Sequence, residues 1–174
     1  DVYKRQAKHS NKYYEWLNAL PPQSKKIFVD GVKSTEWYSI EDAIIIPTVS
    51  MSQLLFNDET KGAYECGKYS ADVSLKGIYS IYVRMSSPGH IIDRAGRVMQ
   101  AYYDQSTLSV TSRGKNHVTL HLSNFPKPHK VIESRLVGWM EKALELSGCK
   151  NVNAKVTKSL TQGHSLTEFV INWD

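Results

Sequence analysis

Cysteine is scarce in this chain: two residues, Cys66 and Cys149, in 174. They are far apart and form no C-x-x-C pair, so neither a disulfide-stapled fold nor a thiolate metal site is indicated. The expectation is a reduced, cytoplasmic protein with two incidental thiols, a single disulfide being the alternative. Long apolar runs are also missing. No stretch approaches the roughly 20 residues of a membrane-spanning helix, and no signal peptide is visible. The formal charge is +5, yet the basic residues are scattered, with no dense run beyond Lys25 and Lys26. A groove that tracks nucleic-acid phosphates is therefore not expected. Catalytic signatures are absent as well: no G-x-S-x-G elbow, P-loop, H-E-x-x-H or G-x-G-x-x-G. Glu36, Glu41, Asp42 and Asp93 fall on helix surfaces or ends, where capping and solvation account for them. The chain reads as a non-enzyme.

What is present suits one domain. A chain of this length that is 41% hydrophobic can bury a core without disulfides or metals. The opening "DVYKRQ" reads like the translation of a transposase-end adapter used in sequencing libraries. Residues 1–6 are thus expected to be adapter-derived, and residues 7–174 to form a single domain with a truncated N-terminus.

Periodicity divides the chain. Helical spacing is read over 11–20, 23–32 and 41–56, the last with a kink or break at Pro47. Asn57 and Asp58 offer an N-cap for a helix running to about Leu75. Its small residues, including Gly62, Ala63, Gly67, Ser70 and Ala71, imply close packing on a neighbour. Residues 78–85 are read as helix. Pro88 opens the next one, with Ile91, Ala95, Val98, Met99 and Tyr102 on one face. After Asp104 the period changes to two. Residues 107–112 and 117–122 alternate, through Leu108 and Val110 and then Val118, Leu120 and Leu122. The clearest helix spans 129–147, with Val131, Ile132, Arg135, Leu136, Trp139, Met140, Ala143 and Leu144 on its inner side. Two more strands, 152–157 and 166–173, flank Gly163. Helices followed by β-β-α-β-β make an α+β fold: an N-terminal helical layer on a four-stranded antiparallel sheet.

The segments "STEWYSIEDA", "AYECGKYSADVSLKG", "SSPGHIIDRAGRVMQAYYDQSTLSV", "RLVGWMEKALELSGCKNVNAKVT" and "QGHSLTEFVINWD" carry a resemblance across residues 11–174. In order and spacing they are similar to a bacterial family of heme-NO-binding-like domains. The wider superfamily includes heme-nitric oxide/oxygen binding domains, 4-vinyl reductase domains and subunits of a vesicle-tethering complex. The resemblance implies helices on a four-stranded sheet with a cavity between them.

It does not carry over the heme site. Heme members have an axial His on the helix before the proline turn; here "KGIYSIYVRMSSPG" has Tyr79 and Tyr82 instead, and no His stands between His9 and His90. Their Tyr-x-Ser-x-Arg motif is reduced to "SVTSR", which keeps Arg113 and a Thr. The cysteines of 4-vinyl reductase-like domains match Ser159 and Thr167, which supply no thiolate. His117 and His121 are expected on the outer face of a strand, and His129 and His164 in loops. The expected function is a sensor-type domain without heme, for a small apolar or amphipathic ligand. Its cavity would lie between the helices at 90–103 and 131–146 and the sheet. Tyr79, Tyr82, Arg84, His90, Tyr102, Tyr103 and Trp139 are the candidate ligand contacts. A homodimerising scaffold, using an apolar patch at 44–46 or the small-residue helix, is the alternative, and a heme-based gas sensor a second. Trp139 and Trp173 are also read as core residues.

Overall fold

A computed structural model describes residues 2–9, 11–75 and 87–174. The expected helix at 78–85, with Tyr79, Tyr82 and Arg84, lies outside them. Helices α1 (Val2–His9), α2 (Tyr13–Ala19) and α3 (Pro22–Asp30) lead to a wide turn, Glu41–Ile45, and then to α4 (Ile46–Phe56) and α5 (Glu59–Leu75). The wide turn answers the Pro47 expectation. The Ile46 N–H bonds five residues back to the Glu41 carbonyl. Pro47, with no N–H to place, then sits in the first turn of α4. Asp58 caps α5 as expected, its carboxylate accepting from Lys61 N at 3.0 Å.

The second half follows the β-β-α-β-β order. Helix α6 (Pro88–Tyr102) precedes strands β1 (Thr107–Arg113) and β2 (His117–Ser123). Helix α7 (Lys130–Leu146) then leads to β3 (Asn153–Lys158), a short 3-10 turn and β4 (Thr167–Asn172). The strand order is β1-β2-β4-β3, antiparallel throughout. Val118, Leu120, Leu122, Phe169 and Ile171 point to the covered face and are nearly fully buried. Apart from Val170, their neighbours on the other face are polar, the pattern of an antiparallel sheet with one wet side. Val110 keeps its alternation, in register opposite Leu120, but is 41% exposed on edge strand β1; the register shift follows it, between Val110 and Ser112.

Helices α6 and α7 cover the sheet, and α5 packs on α7. The small residues of α5 explain how closely. A Cβ on Gly67 would collide with the backbone carbonyl of Arg135, and one on Gly138 with that of Tyr64. Each helix thus presents its glycine to the other's backbone. A second core cluster joins Tyr3, Ala7, Trp16, Leu17, Leu20, Phe28, Met51 and Cys66. Tyr3, within the segment expected to be foreign to the domain, is part of this core. Its ring stacks on Trp16 at 5.7 Å. Its hydroxyl donates to the Ile44 carbonyl (3.2 Å), shares a hydrogen bond with Thr48 Oγ1 (2.8 Å) and accepts one from Arg135. Burial pushes this phenol up to about 12, although the Arg135 guanidinium acts the other way. Cys66 and Cys149 are both buried, and the two do not form a disulfide.

Candidate functional site

Protein interiors rarely leave voids larger than a water molecule. Between α6, α7 and the inner face of the sheet this one has a cavity of about 200 Å³. Helix α6 contributes Ile91, Ala95 and Val98, which helical spacing places on one face. Helix α7 contributes Trp139, Met140 and Ala143, and the central strands Val118, Leu120 and Ile171. Two local features account for the gap. First, α6 is anchored toward β1: a Cβ on Gly96 would stand only 2.8 Å from the Leu108 carbonyl oxygen, and Asp93 pairs with Arg113 at 2.7 Å. Second, the faces that line the gap carry short side chains at Ala95 and Ala143. Among the described residues, His90 and Arg94 are the polar members of the lining. Both are exposed, on the first two turns of α6.

The expected site residues separate accordingly. Of those described, His90 and Trp139 line the cavity; Tyr102 and Tyr103 do not. Helix α6 ends at Tyr102, which is 54% exposed. The following backbone leaves helical geometry at Tyr103 and turns that ring onto Phe125, 5.3 Å away. Burial raises the Tyr103 phenol above its ordinary range. Arg94, Leu75 and the strand residues were not foreseen as contacts. The signal for Arg94 was its place four residues after His90.

Helix α7 also carries a buried polar network. Glu133 is 8% exposed, and its carboxylate accepts from Ser159 Oγ (2.7 and 2.9 Å), Thr167 Oγ1 (2.5 Å) and Thr161 Oγ1 (3.4 Å). Ser159 and Thr167 thus tie the last hairpin to α7. Two turns on, buried Glu141 accepts from Ala154 N of β3 (2.7 Å) and from the Tyr64 hydroxyl. Desolvation, then that bond, pushes the Tyr64 phenol up. Arg135 donates to Thr48 Oγ1 at 3.0 Å and lies over the Tyr3 ring.

His129 and His121 have structural partners. His129 is the N-cap of α7 rather than a plain loop residue, its Nδ1 accepting from Val131 N at 3.2 Å. His121 lies opposite Glu168 in the β2–β4 register and bonds it at 2.7 Å. Thr157 first, then His121 and Lys158, hold the Glu168 carboxyl down to about 2. A carboxyl depressed in the folded state stabilises above its unfolded pKa and loses that contribution as pH falls through the folded one. Stability should therefore decline from about pH 4.5 toward 2. Urea melts at pH 5, 3.5 and 2.5 should show a shallower acid decline for Glu168→Gln than for the parent; identical slopes would remove Glu168 from the account. Among the described residues no group of three or more His, Cys, Asp or Glu is placed to hold a metal, and no helix is long and apolar enough to cross a membrane.

This architecture is that of H-NOX domains. The chain superposes on an H-NOX protein from S. oneidensis, solved in an Fe(II)NO state, with a TM-score of 0.73 at 12% identity, over 99% of this chain and 96% of that one. For an unliganded Fe(II) H-NOX protein from K. algicida the TM-score is 0.70 at 11% identity, over 99% and 93%. An oxygen-binding H-NOX domain related to soluble guanylate cyclases, in its oxygen complex, gives 0.68 at 10%, over 99% and 92%. At such identities the likeness is one of fold. No family model matches the chain, and no curated protein matches it in sequence.

Proposed function

We propose that the chain is a non-catalytic, sensor-type domain that holds a small apolar or amphipathic molecule, without heme, in the cavity between α6, α7 and the sheet. The observation that carries this reading is the cavity itself, with apolar walls on three sides. Its volume, about 200 Å³, exceeds the ~150 Å³ apolar cavity that accepts a benzene. It falls short of the ~300–1,000 Å³ typical of larger ligand pockets. A tetrapyrrole spans several such rings, so the volume favours a smaller ligand. The lining supplies one imidazole among the described residues, His90, and that side chain is exposed at the cavity's edge. The counterpart of the propionate-binding Arg, Arg113, is engaged by Asp93 on the surface. Volume and donors therefore both favour a ligand of about one ring. The H-NOX-like fold, whose relatives above were solved with NO and with oxygen, agrees with a binding role. Two buried thiols outside any disulfide go with a reducing compartment.

The two surfaces expected for the scaffold alternative are partly covered within the chain, which favours it less. Ile45 is buried and its neighbours Ile44 and Ile46 half-buried, while on α5 Gly62 packs on Ser52 of α4 and Gly67 on the Arg135 carbonyl of α7.

Native mass spectrometry of the full chain, purified from a heme-competent host, tests the proposal. The expected result is a small adduct that leaves on denaturation, or a bare chain that takes up toluene. A heme-sized adduct would overturn the heme-free part. A bare chain that binds no apolar probe would overturn the rest. Ala143→Leu should weaken toluene binding at least about tenfold by filling the space, since a residual cavity is what admits the probe, while leaving the far-UV spectrum unchanged.

A further inference from the structure

Among the described residues, the polar members of the lining are not spread around it. His90 and Arg94 stand four apart on one helix, which brings their side chains to the same face, roughly 6 Å between Cβ atoms. Both are donors that can carry positive charge, and among the described residues none in the lining is acidic. The nearby carboxylates are engaged elsewhere. Asp93, beside Arg94, is held by Arg113 at 2.7 Å. Asp72 and Glu145, on the helices behind, face Lys142, each at 3.5 Å. The first turn of α6 adds the partial positive end of a fifteen-residue helix. The cavity is thus an apolar chamber with a cationic rim on one side.

Resting on the cavity reading above, we infer that the ligand is a small organic acid. Its apolar body, about one ring, enters the space beside Trp139 and Ala143, and its carboxylate stays at the rim on Arg94 and His90. A guanidinium offers two parallel N–H donors to a carboxylate, which fixes orientation as well as adding attraction. The bland reading of these two residues, a solvated basic stripe, predicts no preference for charge in the ligand.

Isothermal titration of the full chain separates them, with phenylacetate, its neutral analogue phenylacetamide and the cation phenethylamine as probes. The expected order at low salt places phenylacetate at least about tenfold tighter than phenylacetamide, with phenethylamine weakest. The preference should shrink as salt screens the exposed rim. In the His90→Gln/Arg94→Gln double variant, phenylacetate should lose at least about tenfold and phenylacetamide clearly less, so that the gap between them closes. Both residues are exposed, so the variant should retain its circular dichroism and melting point. Equal binding of acid and amide, or preference for the amine, would overturn the inference and leave the cavity reading standing. Failure of all three ring compounds to bind would overturn the inference, and the cavity reading with it if toluene also fails to bind.

Discussion

Gly138→Ala should lower the melting temperature by roughly 6–12 °C. The added Cβ meets the Tyr64 carbonyl far inside van der Waals contact, and that atom belongs to a helix backbone that cannot rotate away. Overpacking a tight core costs about 1–3 kcal/mol. A clash with backbone belongs at the upper end, and in a chain of this size about 1 kcal/mol moves the midpoint by about 2–4 °C. Gly67→Ala, opposite the Arg135 carbonyl, should cost a similar amount. The double variant should cost clearly less than the sum, because helices already forced apart by one methyl have room for the other. Melts followed by circular dichroism decide this. A shift under about 2 °C for either single variant would mean that α5 and α7 do not cross as closely as described.

Glu133→Ala should be the other severe change, about 3 kcal/mol, with Glu133→Gln roughly half as costly. Ser159 and Thr167 are 2% and 0% exposed, and both hydroxyls donate to this carboxylate. Removing the acceptor strands buried donors, at about 1–3 kcal/mol each. Ser159 keeps Thr161 as a partner at 2.7 Å, which holds the total down. The amide of Gln still accepts but brings an N–H₂ group that lacks acceptors there. A triple change, Glu133→Leu with Ser159→Ala and Thr167→Val, should recover most of the loss, since removing all partners together leaves nothing unsatisfied. Urea denaturation supplies the comparison; a Glu133→Ala cost below about 1 kcal/mol would show that water reaches these hydroxyls.

Much of this architecture was readable in the chain because local rules and tertiary packing agree. The alternation at Val118, Leu120 and Leu122 marked an inner face, and those residues are buried. Asp58 and Pro88 marked helix starts. The small side chains of α5 announced a close neighbour, but the sequence did not say that the neighbour's own Gly138 would answer Gly67. The expected sandwich of α6, α7 and sheet also located the cavity. Its contacts were harder. Tyr102 shares the helical face of Val98 and Met99 by counting alone, yet α6 ends there and the ring stays outside. Arg135 appeared on the inner side of α7 by period; its burial against Tyr3 and Thr48 needed partners 132 and 87 residues away. Glu133 and Glu141 were not among the inner-side residues read on the same helix and are buried, because hairpin hydroxyls and a strand N–H reach them.

The sequence by itself determined the order of helices and strands, the inner face of the sheet and the lack of a C-x-x-C pair. These follow from spacing and residue type, which are local properties. Tertiary structure alone decided that a void remains beside Ala95 and Ala143, that His90 and Arg94 share its rim, and that three charged residues of α7 are enclosed. Such features depend on how far apart backbones settle, and that distance is set jointly by residues remote in the chain: Gly67 with Gly138, and Gly96 with Leu108.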